Sequence, residues 1–336
     1  MRIGIAGAGV MGSIHGFAWQ KTGAEITAVL DKNKELAAPL ADKLGVPFYT
    51  DLKDMIPHID VIDVCVPTFL HHPIVMESAR NGIHVICEKP LARTLEQGVE
   101  MVRECRKNSV KLLPGHVLRF FPDYIDAREA VQRGDLGKLG LIRLSRESFA
   151  PRKSKDNWFL DYEKSGGILL DLCLHDLDYA RWIAGEVTSV YAKTIKSDNP
   201  ELACDHALVI LEHKSGVLSH IQGSWSYPAP EFHTKFEIAG SRGLLTHNSD
   251  DSAPISLHMH AGKKDTAGKV AVPLSPLENS PYEIEIQAFY DHLEGDSPLP
   301  VKDSDALAAL QIALAALESS KTGRNIMIPE LEEVQS

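Results

Sequence analysis

The chain has 336 residues, 44% of them apolar and 24% charged, which is enough for two domains with separate cores and excludes a disordered or fibrous protein. Its 46 acidic against 35 basic side chains give a formal charge of −11, which argues against nucleic acid or an anionic membrane as a partner, because both select clustered Lys and Arg. Cys65, Cys87, Cys105, Cys173 and Cys204 are odd in number and lack C-x-x-C spacing, so they read as reduced thiols of a cytoplasmic protein, and no run of residues reaches transmembrane length.

Arg2 to Ala6 reads as a short buried strand, Gly7-Ala-Gly9-Val10-Met11-Gly12 spells G-x-G-x-x-G, and Ser13 to Lys21 continues with helical spacing. In a unit of that order the first glycine makes the tight turn, the second lets backbone approach a pyrophosphate and the third lets helix pack on strand. The helix N-terminus meanwhile offers free N–H groups to phosphate. A second strand, Ile26 to Leu30, ends at Asp31, where an acid accepts hydrogen bonds from an adenosine ribose and repels a 2′-phosphate. The expectation is a dinucleotide site preferring NAD, with Lys32 beside the acid leaving NADP open.

Asn33 can cap a helix over Lys34 to Leu44, and a short extended Phe48 to Thr50 follows. Asp60 to Val66 is a buried-strand run stopped by Pro67, and His72 to Asn81 reads as a helix. Ile83 to Cys87 is a strand that runs into Glu88-Lys89-Pro90, Leu95 to Lys107 is helical, and Val110 to Pro114 is one more strand. Repeated β-then-α of this length predicts an α/β fold, a doubly wound parallel sheet of Rossmann type whose ligands sit at the carboxyl ends of the strands. Gly7, Asp31, Pro67-Thr68 and Glu88-Lys89 each stand at such an end, so they should line one crevice.

The character changes after Gly115. Asp123 to Arg133 is a predicted helix, Leu141 to Phe149 alternates as a strand, and Gly166 to Ala184 is helical. Strands with turns follow: Val190 to Ile195, Asp205 to His213, Gly216 to Tyr227, Thr234 to Ala239, Gly243 to Asn248, Ile255 to Met259 and Lys269 to Pro273. They predict a large, mainly antiparallel open sheet, hence an α+β second domain over residues 122–336 after a first domain over 1–121. Tyr282 to Glu294 and Ala306 to Thr322 are helices expected to pack beside that second sheet.

Two constellations carry candidate chemistry. Lys89, leaving a strand end beside the crevice, can hold a substrate hydroxyl and stabilise an alkoxide, or it is a surface lysine before a turn proline. Asp171, His175 and Asp178 fall at i, i+4 and i+7 of a helix, so they share a face, and an imidazole one turn from a carboxylate can handle protons near neutral pH. A buried structural network is the rival reading; a metal site is incomplete without Cys or a second His, and none is expected. Arg119, Asn157, Trp158 and Tyr282 are loop or element-end residues able to line a polar pocket or to serve structure alone. His15, His116, His206 and His220 read as packing or surface residues.

In this order the motifs resemble the Gfo/Idh/MocA oxidoreductases: Ile5 to Gly12 with His15 after it, Val66-Pro-Thr-Phe-Leu-His71, Glu88-Lys-Pro90, Gly115 to Pro122, and Gly166 to Asp178. The resemblance covers essentially the whole chain. It implies NAD or NADP, hydride transfer to or from a sugar or polyol hydroxyl, and a homodimer or homotetramer built through the C-terminal sheet. Carried over, Lys89 is the hydroxyl-binding catalytic lysine, His175 the proton acceptor or donor, and Asp171 its companion. Thr68, His71 and Glu88 contact the cofactor along with Gly7, Gly9, Val10, Met11, Gly12, Asp31, Lys32, Pro67 and Lys89, and a cis Lys89–Pro90 bond is allowed. Ser165 and Cys173 stand where glycine is frequent, and Gly115-His116-Val-Leu-Arg119 departs from the usual pattern, which blurs the substrate. Two other functions fit the same fold: a redox-neutral glycosidase that regenerates its NAD, and a non-catalytic dinucleotide sensor.

Overall fold

The computed structural model describes residues 1–151, 158–196, 205–250, 280–295 and 297–331. The predicted strands Ile255 to Met259 and Lys269 to Pro273 lie outside the described residues, as do Asn157 and Cys204. By its contacts the chain divides into two compact units, one built on Met1–Phe120 together with the described part of Ser275–Leu307, the other on the described parts of Phe121–Leu274 and Ala308–Glu330.

In the first unit the strands are β1 (Arg2–Ala6), β2 (Glu25–Leu30), β3 (Phe48–Tyr49), β4 (Val61–Val64), β5 (His84–Glu88) and β6 (Leu112–Gly115). Between them run α1 (Val10–Trp19), α2 (Lys34–Leu44), α3 (Leu52–Met55), α4 (His71–Arg80) and α5 (Leu95–Lys107). The six strands are parallel in the order β3-β2-β1-β4-β5-β6. Connections therefore reverse direction between β1 and β4, and a sheet of this kind opens its ligand crevice at that reversal. The near-continuous apolar runs have their cause here: β4 is buried along its whole length, as a strand covered by helices on both faces must be.

The second unit holds α6 (Pro122–Gln132), β7 (Leu139–Ser148), α7 (Tyr162–Ser165), a π turn over Leu169–Cys173, α8 (Leu174–Ala184), β8 (Val187–Ile195), β9 (His206–His213), β10 (Leu218–Ser224), β11 (Phe232–Gly240) and β12 (Gly243–Asn248). The strand β13 (Ile326–Met327) completes a seven-stranded sheet in the order β12-β11-β7-β10-β9-β8-β13. It is antiparallel throughout except that β10 runs parallel to β7. Strand β9 alternates exposed and buried residues, so one face is covered and the other is not.

One expectation needs correction. The helix α9 (Pro281–Glu294) packs in the first unit, where Ile286 and Phe289 join Ile3, Ile5, Trp19 and Phe120 in one core. Its apolar stripe fixes which face is buried, but not which element covers it. Helix α10 (Asp303–Thr322) begins in the first unit, where Asp303 accepts from Arg106 (2.9 Å) and Asp305 from Arg119 (2.9 Å). From Ala308 onward it belongs to the second unit, where the Ala192 N–H donates to Ser319 Oγ (2.9 Å).

Candidate active site

The glycine turn shows three different reasons for glycine. Gly7 has φ +104°, and a Cβ there would meet the Cys65 carbonyl at 2.6 Å; a Cβ on Gly12 would lie 1.7 Å from the Gly7 oxygen. Gly9 is extended and a Cβ there would meet nothing within 4 Å, so its missing side chain leaves open space in front of α1. Gly9 is also the N-cap of α1, with no side-chain cap and no acidic residue in the first turn. A helix N-terminus left bare in this way is suited to a phosphate group. Val10 and Met11 form that first turn, both partly exposed. Asp31, at the end of β2, accepts the Ala8 N–H (2.8 Å) on one oxygen and the Asn33 N–H (2.8 Å) on the other, which ties the carboxylate to the turn, while Lys32 is exposed. Open space over Gly9, bare N–H groups and an acid at the neighbouring strand end together fit a dinucleotide.

Beyond β4, Pro67 and Thr68 open a short helical turn, and Thr68 is buried. His71 is buried at the start of α4, with Nδ1 3.0 Å from the Pro90 carbonyl and Nε2 2.9 Å from the Val66 carbonyl. It thus clips the segment after β4 to the segment after β5, and burial pushes its pKa down. At the end of β5, Glu88 is buried and Lys89 half-buried, and the Lys89–Pro90 bond is cis. The Lys89 backbone N–H donates to Glu88 Oε2 (2.9 Å).

Behind Glu88 lies a cluster that reading by motif missed. His15, on α1 and fully buried, places Nε2 3.2 Å from Glu88 Oε1 and Nδ1 3.0 Å from Asp63 Oδ2. Trp19 Nε1 donates to the same Asp63 oxygen (2.8 Å). From α9 comes Glu285, fully buried, neither of whose carboxyl oxygens has a hydrogen-bond partner among the described residues. Burial, reinforced by Glu88, pushes the Glu285 carboxyl well above the usual carboxylate range. Burial is the largest single influence on His15 and works against its charge, but Asp63 and Cys65 together outweigh it and the imidazole pKa is raised well above its ordinary value. For Glu88 burial is again the largest influence, and His15 and Lys89 together overcome it and hold the carboxyl below its ordinary value. His15, Asp63 and Cys65 bring ligand-type atoms within 4.8 Å of one another, with the Asp63 carboxylate already bonded to His15 Nδ1 and Trp19 Nε1 there. The signal available in the sequence was Asp63 itself, an acid inside a fully buried strand that must find a partner.

In the second unit Gly166 (φ +80°) and Gly167 (φ +67°) lead into the π turn, and a Cβ on Gly167 would strike the Tyr162 ring. The wider turn over Leu169–Cys173 carries Asp171, and His175 follows on α8; both are half-buried. Asp178, three residues after His175 on the same helix, is only 1% exposed. Between them Asp176 points into the core, where Arg146 of β7 grips it with Nε and Nη2 at 2.8 and 2.9 Å. That pair fixes α8 against the sheet and so sets how Asp171 and His175 are presented. Trp158 is half-buried and stacks on Phe159 at 4.0 Å. Of the other pocket candidates, Arg119 and Tyr282 are buried in the first unit, Arg119 on Asp305 and Tyr282 with its ring 6.2 Å from His15.

Comparison with known proteins agrees along the whole length. Residues 1–116 match the oxidoreductase family with an NAD-binding Rossmann fold, and residues 124–246 match the Gfo/Idh/MocA C-terminal domain. Among curated relatives, the myo-inositol 2-dehydrogenase of Thermotoga maritima is 30% identical over 98% of this chain and 99% of its own. The chain belongs to the Gfo/Idh/MocA family. It is an oxidoreductase with an NAD-binding Rossmann domain. The inositol 2-dehydrogenase of Rhizobium meliloti is likewise 30% identical over 98% of this chain and 99% of its own. A crystal structure of a probable dehydrogenase from Thermotoga maritima superposes with a TM-score of 0.80 at 28% identity, covering 98% of this chain and 99% of that one. Among the described residues no helix is long and apolar enough to cross a membrane.

Proposed function

We propose that this family member is a sugar or polyol dehydrogenase of inositol-like substrates that prefers NAD, with Lys89 holding the reacting hydroxyl and His175 handling its proton. The observation that carries the reading is the placement of Lys89: it directly follows Glu88, which lies 3.2 Å from His15 on the very helix that the glycine turn opens. A lysine there stands beside the dinucleotide crevice and can stabilise an alkoxide by a charge-assisted hydrogen bond. Asp171, one turn before His175, orients the imidazole or contacts a second hydroxyl. The bound nicotinamide would supply the hydride acceptor. Gly9 and the start of α1 would hold the pyrophosphate, and Asp31 the adenosine ribose, against a 2′-phosphate. The 30% identity to two inositol dehydrogenases supports the substrate class.

The division of labour follows the two units, dinucleotide on the first and the proton-handling pair on the second. The uncovered face of the second sheet exposes Tyr191, Leu208, Ile210 and Leu218, which supports a homodimer or homotetramer through that face, and sedimentation at micromolar concentration tests it. The four described cysteines are free thiols, which supports a cytoplasmic home. The central test is NADH formation with myo-inositol and a panel of aldoses and sugar acids. Lys89→Met should still bind NAD but lose roughly a hundredfold to a thousandfold in kcat. Turnover near that of the wild type in this variant would refute the assignment of Lys89.

A further inference from the structure

The His15 cluster has no place in hydride transfer as just described, yet it stands directly behind the lysine that does. Four links connect them. Trp19 Nε1 donates to Asp63 (2.8 Å), Asp63 faces His15 Nδ1 (3.0 Å), His15 Nε2 faces Glu88 Oε1 (3.2 Å), and Glu88 Oε2 accepts the Lys89 N–H (2.9 Å). The two carboxylate oxygens of Glu88 are therefore divided, one toward the imidazole and one toward the backbone of Lys89. We propose that His15 is a positioning residue for Lys89, acting through Glu88, whose carboxylate it holds in the orientation that fixes the Lys89 backbone at the end of β5.

Both ring nitrogens of His15 face acids, Nδ1 in a hydrogen bond with Asp63 and Nε2 at an ion-pair distance of 3.2 Å from Glu88 Oε1, an arrangement that suits the imidazolium, which carries a donor at each nitrogen. Every group around the ring is consistent with that charge. Asp63 faces it from β4, Cys65 from the turn after β4 (Sγ 3.5 Å from Nδ1), and Glu88 from β5. From α9 come the Tyr282 ring, 6.2 Å away, and the buried carboxyl of Glu285. Burial and Glu88 push the Glu285 carboxyl well above its ordinary value, which disfavours a third negative charge beside the ring. A rotation of Glu88 would release the N–H of Lys89 and move the strand end on which its side chain is mounted. Displacements of this size near a reacting group cost up to about a hundredfold in rate.

This inference rests on the assignment of Lys89 made above, and two variants with one readout free of substrate keep the two apart. In His15→Gln the carboxamide nitrogen replaces Nε2 and reaches Glu88, whereas in His15→Asn it replaces Nδ1 and reaches only Asp63. Hydrogen exchange of the Lys89 amide, followed by mass spectrometry on peptides spanning the end of β5, reports Glu88 directly. The expected result for His15→Asn is exchange at least about tenfold faster, with kcat down roughly tenfold to a hundredfold. His15→Gln should keep both values within about threefold of the wild type. Equal behaviour of the two variants, or wild-type exchange and kcat in His15→Asn, would overturn the proposal. Should His15→Asn fail to fold, Asp63→Asn removes the charge on the far side of the ring, and unchanged Lys89 exchange there overturns it equally. Faster Lys89 exchange in a protein that oxidises no polyol would uphold the link from His15 to Lys89 and refute the dehydrogenase assignment instead.

Discussion

Alanine at Gly9 and alanine at Gly12 should separate ligand binding from folding. At Gly12 the added methyl carbon would sit 1.7 Å from the Gly7 oxygen, a backbone atom that no side-chain rotation can move aside. The turn must open by more than an ångström, and the cost should be roughly 3 kcal/mol, which lowers the melting temperature by on the order of 6–12 °C for a unit of this size. At Gly9 the methyl meets nothing within 4 Å, and the backbone, φ −79° and ψ −161°, is one that any residue adopts. Two small effects oppose there, a less flexible unfolded chain and a poorer N-cap, so stability should stay within about 1 kcal/mol of the wild type. The space is the ligand's, however. Crowding a pyrophosphate by one methyl costs roughly 2 kcal/mol, or about a thirtyfold rise in the Kd for NAD. Thermal melting and titration calorimetry with NAD measure the pair. Wild-type affinity in Gly9→Ala would show that the phosphates do not pass over Gly9, and a Gly12→Ala protein as stable as the wild type would refute the packing role of the third glycine.

The remaining predictions concern charges. Asp31→Ala removes the acceptor of two backbone N–H groups as well as the repulsion toward a 2′-phosphate, so the Kd for NAD should rise about tenfold while that for NADP falls relative to it. An unchanged NADP to NAD ratio of Kd values would place the ribose elsewhere. Asp176→Asn strands Arg146 in the core, since the pair is 1% and 3% exposed, and should cost about 3–5 kcal/mol in urea unfolding; a loss below about 1 kcal/mol would count against it. Glu285 keeps its proton in the folded state at pH values where the unfolded chain has lost it, so its contribution to stability falls as pH rises above the ordinary carboxyl value of 4.5. The advantage of Glu285→Gln over the wild type should accordingly grow from pH 5 upward, by at most about 1.4 kcal/mol per pH unit, until Glu285 ionises; a difference independent of pH would mean that Glu285 is already ionised. His15 acts in the same direction in both proteins, its stabilisation being complete below its ordinary value of 6.5 and lost as pH rises through the raised one, so it cancels from the comparison.

Much of the first unit was legible because its signals are local. The glycine turn, the acid ending β2 and the strand that runs into Glu88-Lys89 each declare themselves within a few residues, and the β-then-α alternation then orders them on one sheet. His15 was not legible, since its partner Asp63 lies 48 residues away and nothing within α1 distinguishes a paired histidine from a packed one. The destination of α9 was hidden for a similar reason: its apolar stripe fits either sheet, and adjacency in sequence favoured the second. Nor could regular spacing show the π turn over Leu169–Cys173, which changes the pitch between Asp171 and the α8 residues His175 and Asp178.

Stability alone gives no reason for the charges behind Glu88. Taking an imidazolium and two carboxylates out of water costs several kcal/mol per ion before their mutual attraction is counted, and apolar side chains of similar volume are often neutral or better in such places. The first unit has apolar material close at hand, with Ile5, Val61, Ile86 and Ile286 in the surrounding core. What apolar packing cannot provide is direction. A leucine at residue 15 would fill the space but leave the Glu88 carboxylate free to turn, whereas an imidazole held by Asp63 sets Nε2 3.2 Å from Glu88 Oε1 and favours the one orientation in which the carboxylate also accepts the Lys89 N–H. On this reading the cluster exchanges folding free energy for the orientation of one lysine: leucine at His15 alone should cost about 3–5 kcal/mol, because it leaves the buried Asp63 and Glu88 carboxylates unpaired, and only apolar replacement of the whole cluster should leave the protein as stable as before while slowing it.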